Sequence, residues 1–171
     1  MAELTPIVVT GPESSGKSSL VQILGSLYNI PVVKEYARWY LERYGADYDY
    51  PRLDRLARLH KSYQQSQLPR EGPVLLDTDL LNYYIWSREV FGKVPRWLSR
   101  AAAQEKDHRY LLTYPDLPWE EDPLRENPHN RKALFKKHRQ LLEDWKRPYA
   151  VISGRGLDRV RGAQRAVDQW R

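Results

Sequence analysis

The stretch VVTGPESSGKSSL, residues 8–20, decides the fold, because it joins an apolar run to a helical one through a glycine-containing loop. The pattern G-x-x-x-x-G-K-[ST] is satisfied here by Gly11, Gly16, Lys17 and Ser18. Glycines let successive N–H groups point at one anion, and the following helix adds the positive end of its dipole. The loop predicts a nucleoside triphosphate site, with Lys17 between the β and γ phosphates and the Ser18 hydroxyl on magnesium. The phosphate-binding candidates in the loop are Gly11, Glu13, Ser14, Ser15, Gly16, Lys17, Ser18 and Ser19.

Short apolar runs alternate with longer amphipathic stretches along the chain, and they read PIVVT, PVVK, PVLLDTD, RYLLTY and YAVISG. Runs of this length, bounded by Gly and Pro, are typical of strands that are buried on both faces. The rhythm predicts a three-layer α/β/α fold of the P-loop type, with a parallel sheet of about five strands. Apolar residues recur at helical spacing over residues 53–63 and 160–170, and we expect both segments to pack on the sheet.

The composition restricts the class of protein. A chain of 171 residues falls in the range of one domain, so we expect residues 1–171 to form a single domain around the phosphate-binding loop. The net charge is +6, but the basic residues are spread along the chain, which favours a nucleotide over nucleic acid as the anionic partner. The absence of cysteine excludes thiolate chemistry. Neither a signal peptide nor a long apolar run is visible, so we expect a cytoplasmic protein without membrane insertion.

The third apolar run distinguishes among the proteins that carry such a loop. Asp77 ends this run, at the edge where ligands of an open α/β sheet collect, and it is a candidate magnesium ligand. Thr78 follows, where ATPases that activate water usually carry a glutamate. The guanine-recognition patterns N-K-x-D and T-K-x-D are absent. These residues favour a kinase that acts on a small hydroxyl-bearing molecule.

Such a kinase needs a carboxylate for the acceptor hydroxyl and a pocket for the rest of the acceptor. Glu35 and Arg38, one helical turn apart after the second run, are expected to face the same way. Asp79 begins the helix DLLNYYIWSREVF, and Tyr83 and Trp86 lie on its face. An acid and aromatic rings on one stripe are suited to a ribose and a flat base, although such stripes also occur in cores.

A proline-rich segment over residues 114–130, YPDLPWEEDPLRENPHN, leads into the basic helix RKALFKKHRQLLEDW. Irregular segments of this length are often functional, and we interpret residues 114–139 as a lid. Arg125 and Arg131 flank its tip and are the cations expected to meet the transferred phosphoryl group. The other basic residues of the helix are expected to form a solvated face, namely Lys132, Lys136, Lys137 and Arg139.

With these residues assembled, the chain resembles the bacterial ribosylnicotinamide kinase family, the kinase module of NadR-type NAD-biosynthesis proteins. The resemblance rests on GPESSGKSSL, KEYARWYLE, HKSY, LLDTDLLNYYIWSREVFG, YPDLPWEEDPLR, NRKALF and YAVISG. It implies a fold like that of nucleoside and nucleotide kinases. It also implies transfer of the γ-phosphoryl group of ATP, with Mg²⁺, to the 5′-hydroxyl of nicotinamide riboside. Two other functions stay open, namely a kinase of another nucleoside and a module that senses ATP and pyridine nucleotides without turnover.

The resemblance also assigns roles. The catalytic candidates are Lys17, Glu35, Asp77 and Arg125, and the metal ligands are Ser18 and Asp77. The substrate candidates are Glu35, Tyr36, Arg38, Tyr63, Asp79, Trp86, Trp119 and Asp122. Glu35 and Asp77 both remain candidates for the general base. Tyr63 is expected to stack on the nicotinamide ring, but Lys34 stands where some relatives have the second aromatic. The second stacking residue therefore stays open among Tyr36, Trp39, Trp86 and Trp119.

Overall fold

The centre of the computed structural model, which describes residues 5–126 and 128–170, is a five-stranded sheet in the order β2-β3-β1-β4-β5. Its strands are β1 (Thr5–Thr10), β2 (Val32–Val33), β3 (Pro73–Asp77), β4 (Arg109–Thr113) and β5 (Tyr149–Ile152). Every neighbouring pair is parallel. Each of the five apolar runs contains one strand, so the predicted α/β fold is confirmed.

The helices are α1 (Lys17–Tyr28), α2 (Tyr36–Tyr44), α3 (Tyr50–Gln67), α4 (Leu80–Phe91), α5 (Arg96–Gln104), α6 (Arg131–Asp144) and α7 (Gly156–Trp170). Ile7 and Val9 of β1 pack in one core cluster with α1 and α7, whereas Val8 packs in another with α4 and α6. This alternation follows from the two-residue period of a strand, and it gives the sheet a helical layer on each face.

The two helical segments predicted from periodicity differ in what they pack against. Ala163 and Val167 of α7 lie in the cluster that includes the sheet, as expected. The α3 prediction needs correction, because Leu53 and Leu56 lie in a helical cluster with α2, α4 and α5. Periodicity defines an apolar face but not its partner, which for α3 is mainly other helices. None of the helices in the described ranges combines the length and the apolar character needed to cross a membrane.

Candidate active site

A cavity of about 540 Å³ lies at the carboxyl edge of the sheet. Each strand is followed by residues that line it: the loop after β1, Glu35 after β2, Thr78 after β3, Leu117 after β4 and Gly156 after β5. Parallel strands bring their carboxyl ends to one edge, where an open α/β sheet collects its ligands. The fold therefore assembles one site from segments that are far apart in the sequence.

The loop between β1 and α1 has the backbone that its glycines allow. Gly11 has φ 139°, and a Cβ there would meet Thr113 Oγ1 at 2.4 Å. Gly16 caps α1 in the left-handed region, with φ 76°. Ser15 Oγ lies 2.6 Å from both the Pro12 carbonyl and Thr113 Oγ1, which fixes the loop against β4. Because α1 begins at Lys17, its N-terminal amides point into the cavity.

Lys17 lies inside this loop, and its Nζ donates a hydrogen bond of 2.7 Å to the Pro12 carbonyl. Burial lowers its pKa, and the carboxylates of Glu35 and Asp77 oppose that change. An ammonium held by one carbonyl and two nearby acids can exchange the carbonyl for a phosphate oxygen. The residue is placed to neutralise charge on a bound triphosphate.

Glu35 and Asp77 form a pair of acids beside Lys17. Burial raises the pKa of Glu35 to about 7, and the charge of Asp77 adds to the effect. Burial also raises the pKa of Asp77, which is 4% exposed, whereas a hydrogen bond from Ser18 and the charge of Lys17 lower it. A carboxyl group with a pKa near 7 can accept a proton at physiological pH, so Glu35 is suited to general-base work.

The donor set around Ser18 and Asp77 fits a magnesium ion. Asp77 Oδ1 is buried and has no hydrogen-bond partner among the residues that the structure describes. The Ser18 hydroxyl lies within hydrogen-bond reach of the same carboxylate. Magnesium is usually held by one or two protein oxygens together with phosphates and water, and these two residues supply that number. The predicted ligand pair is thus brought together.

Thr78 has a strained backbone within the site. Its φ of 68° lies in the left-handed region, which a β-branched residue rarely adopts. Its N–H donates to the Val9 carbonyl at 3.1 Å, and the side chain is buried against the cavity. Strain of this kind persists where the surrounding structure enforces it and is frequent at active sites. Here the turn places Asp77 and Asp79 on different sides of the chain.

The predicted lid lies on the phosphate loop and meets it at Ser14. The Ser14 hydroxyl accepts a hydrogen bond of 2.9 Å from the Glu120 amide and one of 3.3 Å from Arg125 Nη1. Arg131 Nη1 donates to the Ser14 carbonyl at 3.0 Å and to the Leu117 carbonyl at 2.9 Å. Both predicted arginines therefore contact the loop. The residue Asn127, near the lid tip, lies outside the described residues.

An ion pair ties the lid to the opposite wall. Arg38 Nη1 lies 3.0 Å from Asp122 Oδ2 and 3.4 Å from Glu42 Oε1. The Leu124 amide, followed by Arg38 and Arg125, lowers the pKa of Asp122. Asp122 therefore binds two arginines of the cavity wall.

The sequence from residue 6 to residue 159 matches a family model described as an AAA domain. The chain belongs to this AAA-domain family.

The resemblance seen in the sequence is confirmed by a curated relative. The trifunctional NAD biosynthesis/regulator protein NadR of Escherichia coli (strain K12) is 27% identical over 124 residues. The match covers 70% of this AAA-domain chain but only 30% of the relative. The match therefore spans less than a third of that protein's length.

Solved structures confirm the fold. A NadR protein in complex with NAD and AMP-PNP has a TM-score of 0.82 at 22% identity, covering 97% of this chain and 49% of that one. A NadR protein in complex with NR has a TM-score of 0.78 at 21% identity, covering 97% and 51%. Deoxyadenosine kinase from M. mycoides with bound dATP has a TM-score of 0.57 at 12% identity, covering 96% and 99%. The fold is that of nucleoside and nucleotide kinases.

The aromatic wall of the AAA-domain cavity comes from Tyr48, Tyr83 and Trp86. Trp86 Nε1 donates to the Tyr48 hydroxyl at 2.8 Å, and the two rings meet edge to face with centroids 5.0 Å apart. The Tyr48 hydroxyl in turn donates to Glu126 of the lid at 2.9 Å. Trp86 was predicted from the face of its helix. Tyr48 was missed, because it lies in a loop with no periodic pattern.

The other aromatic candidates do not belong to the cavity lining. Tyr36 packs on Trp39 and Tyr63, with ring centroids 5.3 Å and 5.2 Å apart. These rings form a separate cluster beside the cavity. Trp119 lies in the lid, and the guanidinium of Arg131 sits 5.8 Å from its ring centroid. Among the proposed stacking residues, Trp86 alone lines the described cavity.

Asp79 has a different role from the predicted one. Its Oδ1 accepts from the Leu81 amide and caps α4. Its Oδ2 lies 2.9 Å from His108 Nδ1 and 2.7 Å from the Tyr110 hydroxyl. The side chain is fully buried, and both of its oxygens have hydrogen-bond partners within the protein. An acid directly before an apolar helical run is a standard cap signal, and that reading was available from the sequence.

Arg159 is a second residue whose role the sequence analysis did not assign. Its Nη2 donates to the Ser15 carbonyl at 2.6 Å and to the Tyr114 carbonyl at 3.0 Å. Its Nη1 donates to Asp116 at 2.8 Å and to the Gly154 carbonyl at 3.0 Å. Arg159 thus clamps the phosphate loop to the base of the lid.

Proposed function

We propose that this protein transfers the γ-phosphoryl group of ATP to the 5′-hydroxyl of nicotinamide riboside and so forms nicotinamide mononucleotide. The observation that carries the proposal is a pair of acids, Glu35 and Asp77, close to Lys17, with Glu35 and Lys17 both lining the cavity. A nucleotide-binding loop alone needs no second carboxylate with a raised pKa, whereas an acceptor hydroxyl needs a base. The likeness to NadR proteins supports the choice of riboside.

Each residue of the site has its own role in the proposed phosphoryl transfer. The 5′-hydroxyl oxygen attacks the γ-phosphorus, its proton passes to Glu35, and the bond to the β–γ bridging oxygen breaks, so ADP leaves. Lys17 and Arg125 neutralise the charge that develops on the phosphoryl oxygens. Magnesium, held by Ser18 and Asp77 when bound, offsets the negative charge of the phosphates. The lid excludes water, which would otherwise accept the phosphoryl group.

The cavity wall supplies the acceptor pocket. Trp86 and Tyr48 present aromatic surface to the cavity, and Arg38 lies on the same wall as Glu35. An aromatic wall binds a flat base by stacking, while the acids hold the sugar end near the phosphates. With this arrangement, we expect the base and the reacting hydroxyl of a riboside to lie at different ends of one site.

The test is an incubation of the pure protein with ATP, Mg²⁺ and a panel of ribosides, in which ADP and phosphorylated product are both followed. We expect product from nicotinamide riboside. If only cytidine or uridine gives product, the protein is a kinase of another nucleoside and nicotinamide riboside is not its acceptor. If ribosides bind but none gives product, the protein is a sensing module.

Two lysine variants sharpen this test. Lys17→Ala is expected to lower kcat by at least about a hundredfold without unfolding the protein, because the loop loses its ammonium. Lys132→Ala removes an exposed lysine of α6 and should leave the rate unchanged. An active Lys17→Ala protein would remove the loop from the mechanism.

A further inference from the structure

His138, on the lid-side helix α6, lines the cavity one turn after Leu134. The two side chains are 4% and 9% exposed, so this face of α6 is turned inward. His138 Nδ1 lies 2.8 Å from the Leu134 carbonyl oxygen. Because a carbonyl oxygen only accepts, Nδ1 must carry the proton of that hydrogen bond. The neutral ring then has an acceptor lone pair at Nε2.

That acceptor has no protein partner. His138 Nε2 is buried and makes no hydrogen bond to any residue that the structure describes. A buried polar atom without a partner costs about 1–3 kcal/mol, and native proteins rarely keep one without a reason. The helix does not need the imidazole, since the Leu134 carbonyl also faces the His138 amide in the ordinary α-helical pattern. An atom of this kind in a cavity wall is suited to a ligand that brings a donor.

The charge state of the ring agrees with this geometry. Burial lowers the pKa of His138 to about 4, and the positive charge of Lys17 acts in the same direction. The ring is therefore neutral near pH 7. His138 lines the same cavity as Lys17 and Glu35, the residues that mark the end where phosphoryl transfer would occur. The part of a riboside found at that end is the sugar.

We propose that His138 Nε2 accepts a hydrogen bond from a secondary hydroxyl of the acceptor's ribose, and that it thereby selects ribosides over deoxyribosides. The inference rests on the proposed function. The 5′-hydroxyl is not the donor, because its proton passes to Glu35. A 2′- or 3′-hydroxyl can donate a hydrogen bond to Nε2, whereas a deoxy position leaves Nε2 without a donor. His138 is thus a specificity-determining residue and takes no part in the chemistry.

The experiment compares the wild type with His138→Leu and His138→Gln on nicotinamide riboside and its 2′-deoxy and 3′-deoxy analogues. The wild type should prefer the riboside over one analogue by roughly ten- to hundredfold in kcat/KM. His138→Leu should lose that preference through a higher KM for the riboside, with the KM for ATP within about twofold. His138→Gln, whose amide oxygen can accept, should recover part of it.

Stability separates recognition from packing. Removing an unpaired buried acceptor should not lower the Tm of the ligand-free protein, whereas loss of a purely structural histidine should. His60→Leu is the matched control: His60 is also buried, with Nδ1 unpartnered among the described residues, but it lies outside the cavity lining. It should leave the discrimination unchanged.

Each result has one meaning. An unchanged KM for the riboside in His138→Leu, or an equal loss on all three substrates, would overturn the inference while the kinase function stands. A wild type that phosphorylates no riboside would overturn the proposed function and this inference with it. Loss of discrimination on one deoxy analogue would identify the hydroxyl that His138 binds.

Discussion

Replacing Glu35 by glutamine should make the protein more stable at high pH and less active. Glu35 ionises near pH 4.5 in the unfolded chain but only near pH 7 in the folded protein. Between these values the folded state holds one more proton, so the free energy of unfolding falls as the pH rises. The full difference between the two pKa values of Glu35 corresponds to a loss of about 3 kcal/mol in the free energy of unfolding above pH 7. Because the side chain is only partly buried, we expect about 2 kcal/mol.

The amide of Glu35→Gln carries no charge and avoids this cost. At pH 8 the variant should be about 2 kcal/mol more stable than the wild type, which corresponds to a rise of roughly 4–8 °C in Tm. At pH 5 its gain in stability over the wild type should be less than about 1 kcal/mol. Urea unfolding without nucleotide or magnesium, followed by the fluorescence of the six tryptophans, measures both values. The rate of riboside phosphorylation should fall by about 10²–10⁴.

Glu71→Gln, at an exposed turn before β3, is the matched control and should change neither quantity. A stability gain that is equal at pH 5 and pH 8, or absent at pH 8, would refute the reasoning about Glu35. A gain at pH 8 with full activity would leave the electrostatics standing but would remove Glu35 as the base.

Three further substitutions test the loop and the lid. Gly11→Ala should lower the free energy of unfolding in urea by about 3 kcal/mol, because the φ of Gly11 is 139° and the new methyl group meets Thr113. The control Gly45→Ala has open space around it and should lower the free energy of unfolding by about 1 kcal/mol. Equal losses would contradict the steric reasoning. In steady-state assays, Arg125→Ala should lower kcat at least about tenfold, with less than a threefold change in either KM. An unchanged kcat would show that Arg125 is a surface residue without a catalytic role. Arg159→Lys keeps the charge but loses the guanidinium fork that joins Ser15 to Asp116, so the KM for ATP should rise about tenfold while the riboside KM stays constant. A parallel rise in both would indicate general unfolding of the site.

The parts of the structure that could be predicted are those with a local sequence pattern. Continuous apolar runs gave all five strands, since a strand covered on both faces must be apolar throughout. The loop was predictable because its glycines and Lys17 have fixed spacing. Lys132 and its basic neighbours on α6 are exposed, as expected from their uniform charge.

The sequence could not predict which side chains from different elements share the cavity. Asp79 and Asp77 are two residues apart, yet one caps α4 and the other lies beside Ser18, with the left-handed backbone of Thr78 between them. His138 gave no signal, since its importance lies in an atom left unpaired by the packing of α6. Such facts depend on tertiary contacts, which no local pattern contains.

The strand order has a consequence for how the chain folds during synthesis. The central strand β1 is made first, but its two partners, β3 and β4, begin at residues 73 and 109. At about 5–20 residues per second, an apolar strand waits several seconds or longer for its second neighbour. Every pairing is long-range, and such topologies fold slowly. The arrangement that brings Lys17, Asp77 and the lid to one edge also makes the nascent chain dependent on protection from aggregation.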